Sequence, residues 1–344
     1  MQTEITSAGP LLNEKGILNI RGYAKKLLPE YSRNSIKAGK LRIKEWDYYL
    51  ITNNHYAVAL TVADNGYMGL ASASLLEFDT AKHHTATVMT AFPMGKLRMP
   101  ETSKTGNVQF EHEKCHISFE ITPEGRYLSC SFKDFKNGSP FTADFKLTEE
   151  PEESMVIATP FAKKKTAFYY NQKINCMRAA GKAEFEGKTY TFSPDTSFGT
   201  LDWGRGVWTY SNTWYWGSAS GLLNGVPFGF NLGYGFGDTS AASENMLFYG
   251  GKAHKLDQVL FNIPKDGTGQ DDFHSTWTFG SNDGRFLMNF APILDRSSCT
   301  NLLLLCSDQH QVFGRFSGTA VLDDGKTIKL QNFLGFAEKV KNRW

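Results

Sequence analysis

Short runs of alternating apolar and polar residues, separated by tight-turn dipeptides, constrain this chain more than any other feature. Asn65-Gly66, Asp283-Gly284 and Asp324-Gly325 each stand between two such runs, and Asn137-Gly138 does the same further along the first half. Asn-Gly and Asp-Gly suit two-residue hairpin turns because both central residues must take φ > 0. Runs at 41–49, 55–63, 67–78, 115–121, 127–135 and 141–147 follow at the spacing of short strands, and comparable runs fill the second half. No stretch of about 11 residues or more carries apolar positions at helical spacing. The pattern predicts an all-β chain with antiparallel strands, as a sandwich or barrel.

At 344 residues the chain is long for one domain and comfortable for two. The sequence TEEPEES at 148–154 is its most acidic stretch and contains a proline, which places the expected boundary between domains 1–155 and 156–344. The 37 Lys and Arg nearly balance 35 Asp and Glu, and no basic stripe stands out, which argues against nucleic acid as a partner. The apolar run 302–306 is far too short to span a bilayer. Five scattered cysteines without a C-x-x-C suggest neither a zinc site nor a disulfide framework. With no apolar leader at the N-terminus, the expected setting is reducing and cytoplasmic.

The chemistry concentrates in 201–254. Trp203, Trp208, Trp214 and Trp216 fall within fourteen residues, four of the chain's seven tryptophans, and Asp202 and Arg205 stand among them beside Gly204 and Gly206. A carboxylate beside a guanidinium would stay ionised and serve as base or orienter; equally, the pair would be a structural salt bridge. A strand then alternates Phe228, Phe230, Leu232, Tyr234 and Phe236 with Gly229, Asn231, Gly233, Gly235 and Gly237. Side chains alternate faces along a strand, so one face is a wall and the other is bare apart from Asn231. Such a face makes room, for a ligand or for Trp214 and Trp216 of a neighbouring strand.

Glu244, ahead of the apolar run 246–249, would be a general acid if it points into an apolar interior, and a solvated loop acid otherwise. His254, after a Gly-Gly turn, would shuttle protons near neutral pH, or simply bond to backbone. The tryptophans, with Asn231 and Tyr234, are candidates to enclose a ligand, against the alternative that they fill a core. His112 and His116 would come close together on one face only on a helix; on a strand, four residues span about 13 Å. No metal and no cofactor is therefore expected, and the glycines of GFNLGYGFGD lack the strand–turn–helix context of a dinucleotide site.

Several segments resemble the domain of unknown function 2804 family: GILNIRGYAKK, KEWDYYLIT and VADNGYMG in the first half, then LDWGRGVW, TWYWGSASG, GFNLGYGFGD, SENMLFYGGKAHKL and VFGRFSGTAVLDDG with GFAEKVKNRW at the end. They cover nearly the whole chain in order. The family is distantly similar to the carotenoid 1,2-hydratase and AttH-like group, whose members carry two lipocalin-like β-barrel domains. Gly181, Gly187, Asp202 and the Gly-Arg-Gly at 204–206 are similar to the start of that group's second domain. The Trp-Gly that usually follows the acid runs on here as Trp203-Gly204-Arg205-Gly206, so no catalytic residue transfers. The resemblance implies two packed barrels and an apolar small-molecule ligand, of terpenoid, steroid or fatty-acyl type. Either the chain converts that ligand by acid–base chemistry (hydration or dehydration, isomerisation, cyclisation), as a lyase or isomerase, or it carries the ligand unchanged. A third possibility is that the conspicuous motifs only cement the barrels together.

Overall fold

The computed structural model describes residues 2–302 and 305–343, so the middle of the apolar run 302–306 and the terminal Trp344 lie outside the described residues. Among these are 24 strands and two 3-10 turns, Arg33–Ser35 and Lys40–Arg42, as the all-β pattern requires. No helix among them is long and apolar enough to cross a membrane.

Two large antiparallel sheets make up most of the fold, beside a small parallel pair of Gly9–Pro10 and Pro29–Glu30. The main path of the first, 13-stranded sheet runs Lys82–Ala91, Met68–Glu77, Tyr56–Asp64, Ile43–Thr52, Phe198–Val207, Lys164–Phe185, Ser139–Thr148, Gly125–Lys136, Cys115–Thr122, Asn107–His112. The nine-stranded second sheet runs Lys252–Lys255, Met246–Tyr249, Val226–Tyr234, Ser211–Leu223, Thr327–Arg343, Leu305–Val321, Phe286–Leu302, Trp277–Ser281, Val259–Asn262. Both are curled. Residues 256–258 alone join the two end strands of the second path, which forces its edges together. In the first, the edge residue His84 reaches across to the Phe135 carbonyl at 2.6 Å.

The chain changes sheet at 208–210, later than the boundary expected at 155/156. The acidic stretch 148–154 is instead a link inside the first sheet, between Ser139–Thr148 and Met155–Phe161. Its charges have specific partners: Glu150 pairs with Arg126 at 2.7 Å, Glu152 with Lys26 at 2.7 Å, and Glu153 accepts from the Ala253 amide at 2.7 Å. A composition shift marked ion pairing here rather than a change of sheet.

Three cores follow from this layout. One fills the first curled sheet and a second, rich in phenylalanine, fills the other. The third lies between them, built from Tyr48, Leu50, Leu76 and Phe78 of the first sheet against Trp216, Leu294, Phe313 and Phe336 of the second. Phe198–Val207 therefore buries all ten residues, one face toward the first interior and the other toward this seam.

The longest strand, Lys164–Phe185, carries a bulge between Ile174 and Met177, with Cys176 at φ 65°. A bulge bends its strand and leaves residues unpaired. Here Asn175 uses that freedom to cross the seam, donating to Ser218 Oγ at 2.8 Å, while the Cys176 amide donates to Ser220 Oγ at 3.1 Å.

Candidate active site

Strand parity decides where each candidate side chain goes. Asp202 and Arg205 sit three apart on one extended strand and so point to opposite faces. Arg205 enters the first interior, fully buried, where it pairs with Asp47 at 3.0 Å and donates to the carbonyls of Trp46 and Pro100 at 2.8 Å each. Trp203 shares that face and packs edge-on against Tyr31 and Tyr170. Asp202 faces the seam. The expected Asp202–Arg205 pair does not form, because three residues along a strand is half a period out of phase.

The cation beside Asp202 is Lys173. It lies directly opposite on the neighbouring strand, and its ammonium sits 2.8 Å from Asp202 Oδ1. Asn171 donates to the same oxygen at 2.6 Å, and the ammonium lies 3.9 Å from the centroid of the Trp216 ring across the seam. Tyr48 stands on the other side of Asp202, so Lys173, Asp202 and Tyr48 form a row across the first sheet.

A matching row crosses the second sheet. Trp216 pairs with Gly233 on one flank and Glu338 on the other, and Glu338 pairs with Gln311. Glu244 lies over Gly233: a Cβ built there would stand 3.1 Å from the Glu244 carboxyl carbon. The bare glycine face thus does make room, and Glu244 occupies part of it. At Gly229 the occupant is Cys176 of the opposing sheet, whose sulfur would be 2.7 Å from a Cβ. Asn231, also on this face, has both amide ends engaged. Its oxygen accepts from Trp216 Nε1 at 2.7 Å and its nitrogen donates to the Glu244 carbonyl at 2.8 Å. It positions the two residues on either side of it.

Burial dominates the electrostatics. Glu244 is pushed up to about 7 by loss of solvent; Lys173 pulls it back, and Asp202 pushes it further up. The Tyr169 hydroxyl, 3.4 Å from Glu244 Oε2, is its partner. Glu338 is likewise pushed up to about 7 by burial, although Trp214 Nε1 at 2.9 Å and Gln311 Nε2 at 3.0 Å donate to its two oxygens. Burial thus pushes two carboxyls up to about 7, one over each of the strands that flank Trp216. Between them lies the Lys173–Asp202 pair. Strongly shifted carboxyls in one cluster are the usual sign of acid–base work, though ion-pair networks also produce them.

Aromatic rings wall one end of this cluster. Trp46 stacks on Tyr169 at 6.2 Å and meets Trp208 edge-on at 5.2 Å. Phe236, between Gly235 and Gly237, both at positive φ, contacts Tyr169, Trp208 and Trp214 at 4.8 to 5.3 Å. The loop that carries Phe236 and Glu244 is strapped by the N-terminal arm. The Thr3 amide donates to the Ala241 carbonyl at 2.8 Å, and Gln2 Oε1 accepts from the Ser243 amide at 2.8 Å.

The structure therefore brings together Asp202, Glu244, Trp208, Trp214, Trp216 and Asn231 at the seam. Arg205 and Trp203 lie in the first interior. Tyr234 lies against the second core, stacked on Tyr215 at 4.4 Å, and His254 lies beside Asp323 at 3.4 Å. Lys173, Glu338, Tyr169, Tyr48 and Gln311 escaped sequence reasoning. Lys173 had a signal, as a cation sharing its face with Tyr169, Asn171 and Asn175 in a long strand. Among the described residues no group of three or more His, Cys, Asp or Glu is placed to hold a metal ion, and His116 pairs with Glu111 at 2.6 Å.

The family model described as "Domain of unknown function (DUF2804)" matches residues 2–344. No curated protein matches the sequence. Among solved structures, the chain is similar to an AttH-like protein of Nitrosomonas europaea, with 12% identity, coverage of 90% of this chain and 96% of that one, and a TM-score of 0.56. Kievitone hydratase from Nectria haematococca follows at 11% identity, 88% of each chain and a TM-score of 0.48. CghA, solved with Sch210972, follows at 9% identity, 97% of each chain and a TM-score of 0.46. At these identities the likeness speaks to the fold alone, a pair of lipocalin-like antiparallel barrels.

Proposed function

The chain belongs to the DUF2804 family, and on that premise we propose that the seam cluster is a cofactor-free acid–base site acting on an apolar small molecule. One observation carries this reading: Glu244 and Glu338, both buried, are pushed up to about 7 on opposite sides of Trp216. Hydration or dehydration, isomerisation and cyclisation share one demand, a proton delivered at one atom of the substrate and removed at another. Two carboxyls that burial pushes up to about 7 would meet it. Lys173 and Asp202 supply a fixed charge pair between them, and the rings of Trp46, Trp208 and Trp214 offer apolar area and electron-rich faces to a developing cation. A terpenoid, steroid or fatty-acyl compound suits such walls.

The closeness of the seam favours a second reading, that the cluster only binds the barrels to each other. The gap beside Thr200, Ser218 and Phe336 is about 10 Å³, room for a single water. The test is native mass spectrometry of protein purified from a lipid-containing lysate, with the recovered ligand then incubated with wild type, Glu244→Gln and Glu338→Gln. An acid–base enzyme captures ligand in all three and turns it over only as wild type. A carrier captures it and leaves it unchanged throughout. If no apolar species binds any of them, the cluster is mortar and the enzymatic reading fails.

A further inference from the structure

The last strand, Thr327–Arg343, carries a second pattern on the face turned away from the seam. Lys339, Lys341 and Arg343 alternate with Glu338, Val340 and Asn342, so the three cations rise in a ladder toward one end of the second barrel. Lys339 faces inward, with its ammonium 5.5 Å from the Tyr215 ring centroid and Tyr215 packed against the second core. Directly opposite Lys339 is His310, and opposite Lys341 is Asp308. The loop bearing Lys265, Asp271 and Phe273 completes the wall of a cleft of about 370 Å³ at this mouth.

Its charges are unevenly matched. Lys339 and Lys265 share one carboxylate, Asp271; the Lys265 contact is 2.6 Å. His310 is held by Asp295 at 2.7 Å, and Asp308 stands 3.6 Å from its other nitrogen. The ammonium of Lys341 has no ion-pair partner among the described residues. The charged residues lining the cleft are three lysines, Lys265, Lys339 and Lys341, two aspartates, Asp271 and Asp308, and His310, which its bond to Asp295 pushes up. One wall carries an aromatic stack: the rings of Phe273 and His310 lie face to face at 3.8 Å with 9° between their planes. Beneath, Trp277, Phe279, Phe290 and Phe316 pack ring against ring in the barrel core.

We infer that the mouth of the second barrel is a binding site for a compact organic anion, a phosphate or carboxylate carried on a flat ring. The lysine ladder takes the head group by charge-assisted hydrogen bonds, an outer face of the Phe273–His310 stack takes the ring, and the filled interior sets the size limit. This site is separate from the seam and stands whether or not the seam is catalytic.

Calorimetric titration at low salt tests it, with phenyl phosphate, benzoate, inorganic phosphate and phenol as probes. Phenyl phosphate or benzoate should bind saturably, with inorganic phosphate and phenol weaker by about tenfold or more. The tighter of the first two names the head group. Lys341→Ala should loosen binding by about tenfold without disturbing the fold, Asp308→Asn should tighten it, and Glu244→Gln should leave it unchanged. Absence of saturable binding by both anionic rings overturns the inference, as does binding that Lys341→Ala and Asp308→Asn leave untouched.

Discussion

Replacing Glu244 by glutamine should make this protein more stable at alkaline pH, and the reason is proton linkage. An ordinary glutamate titrates at 4.5, whereas burial pushes Glu244 up to about 7. The difference, 7 − 4.5, is about 2.5 units, or about 3 kcal/mol at 1.36 kcal/mol per unit. Between these two values the folded protein keeps a proton that the unfolded chain has released, so stability falls as pH rises through the window. Below about pH 4.5 the contribution is fully present; above about pH 7 it is gone. Glu338, pushed up to about 7 by burial as well, follows the same course. Glutamine preserves shape and can still accept from Tyr169, which is the only side-chain hydrogen bond the carboxyl makes among the described residues. Glu338 is the poorer choice, since both its oxygens accept strong donors. Urea denaturation should therefore show Glu244→Gln matching wild type near about pH 4.5 and exceeding it by about 1–3 kcal/mol near about pH 8. Parallel pH profiles for the two proteins, or a Glu244→Gln variant less stable at about pH 8, would refute the burial argument.

Other outcomes follow from the same geometry. Lys173→Met strands Asp202 without its cation and should cost about 3–5 kcal/mol by urea midpoint, while Lys173→Met with Asp202→Leu should cost clearly less. Arg205→Ala and Asp202→Ala should be additive within about 0.5 kcal/mol, whereas Arg205→Ala and Asp47→Ala should be strongly coupled in a double-mutant cycle. Gly204→Ala places a Cβ 1.9 Å from the Trp46 ring, so that ring must leave its position. A loss of at least about 1–3 kcal/mol and a shifted tryptophan emission should accompany it.

Fold class was legible because hairpin dipeptides and two-residue periodicity are local properties. The two-faced character of Val226–Tyr234 was legible too, down to the question of what fills the bare side. What fills it, Glu244 and Cys176, comes from a loop and from a distant strand, and no local pattern records that meeting. The Asp202–Arg205 pairing went astray because proximity in sequence was weighed without strand parity, which the alternation of Leu201, Trp203 and Arg205 already implied. Lys173 and Glu338 were missed for another reason. A charged residue on a strand reads as solvent-facing unless a second sheet covers it, and the covering sheet is assembled from residues up to a hundred and more positions away. The sheet change at 208–210 carries no turn-rich linker, so the acidic turn at 148–154 drew the boundary instead.

The way each sheet closes bears on how the chain must be made. Ile43 pairs with Val207, so the first sheet's central partner for an early strand arrives only after all its other strands have been synthesised. Ser211 pairs with Arg343, so the second sheet waits until residue 343 has been made. Gln2 and Thr3, the first described residues, find their partners in the loop at 241–243. Pairings this remote in sequence lose much chain entropy before any contact repays it, which is the setting for slow folding and exposed strand edges. A nascent chain stalled short of residue 207 holds hairpins without a barrel, and on a ribosome that is where chaperone dependence should concentrate.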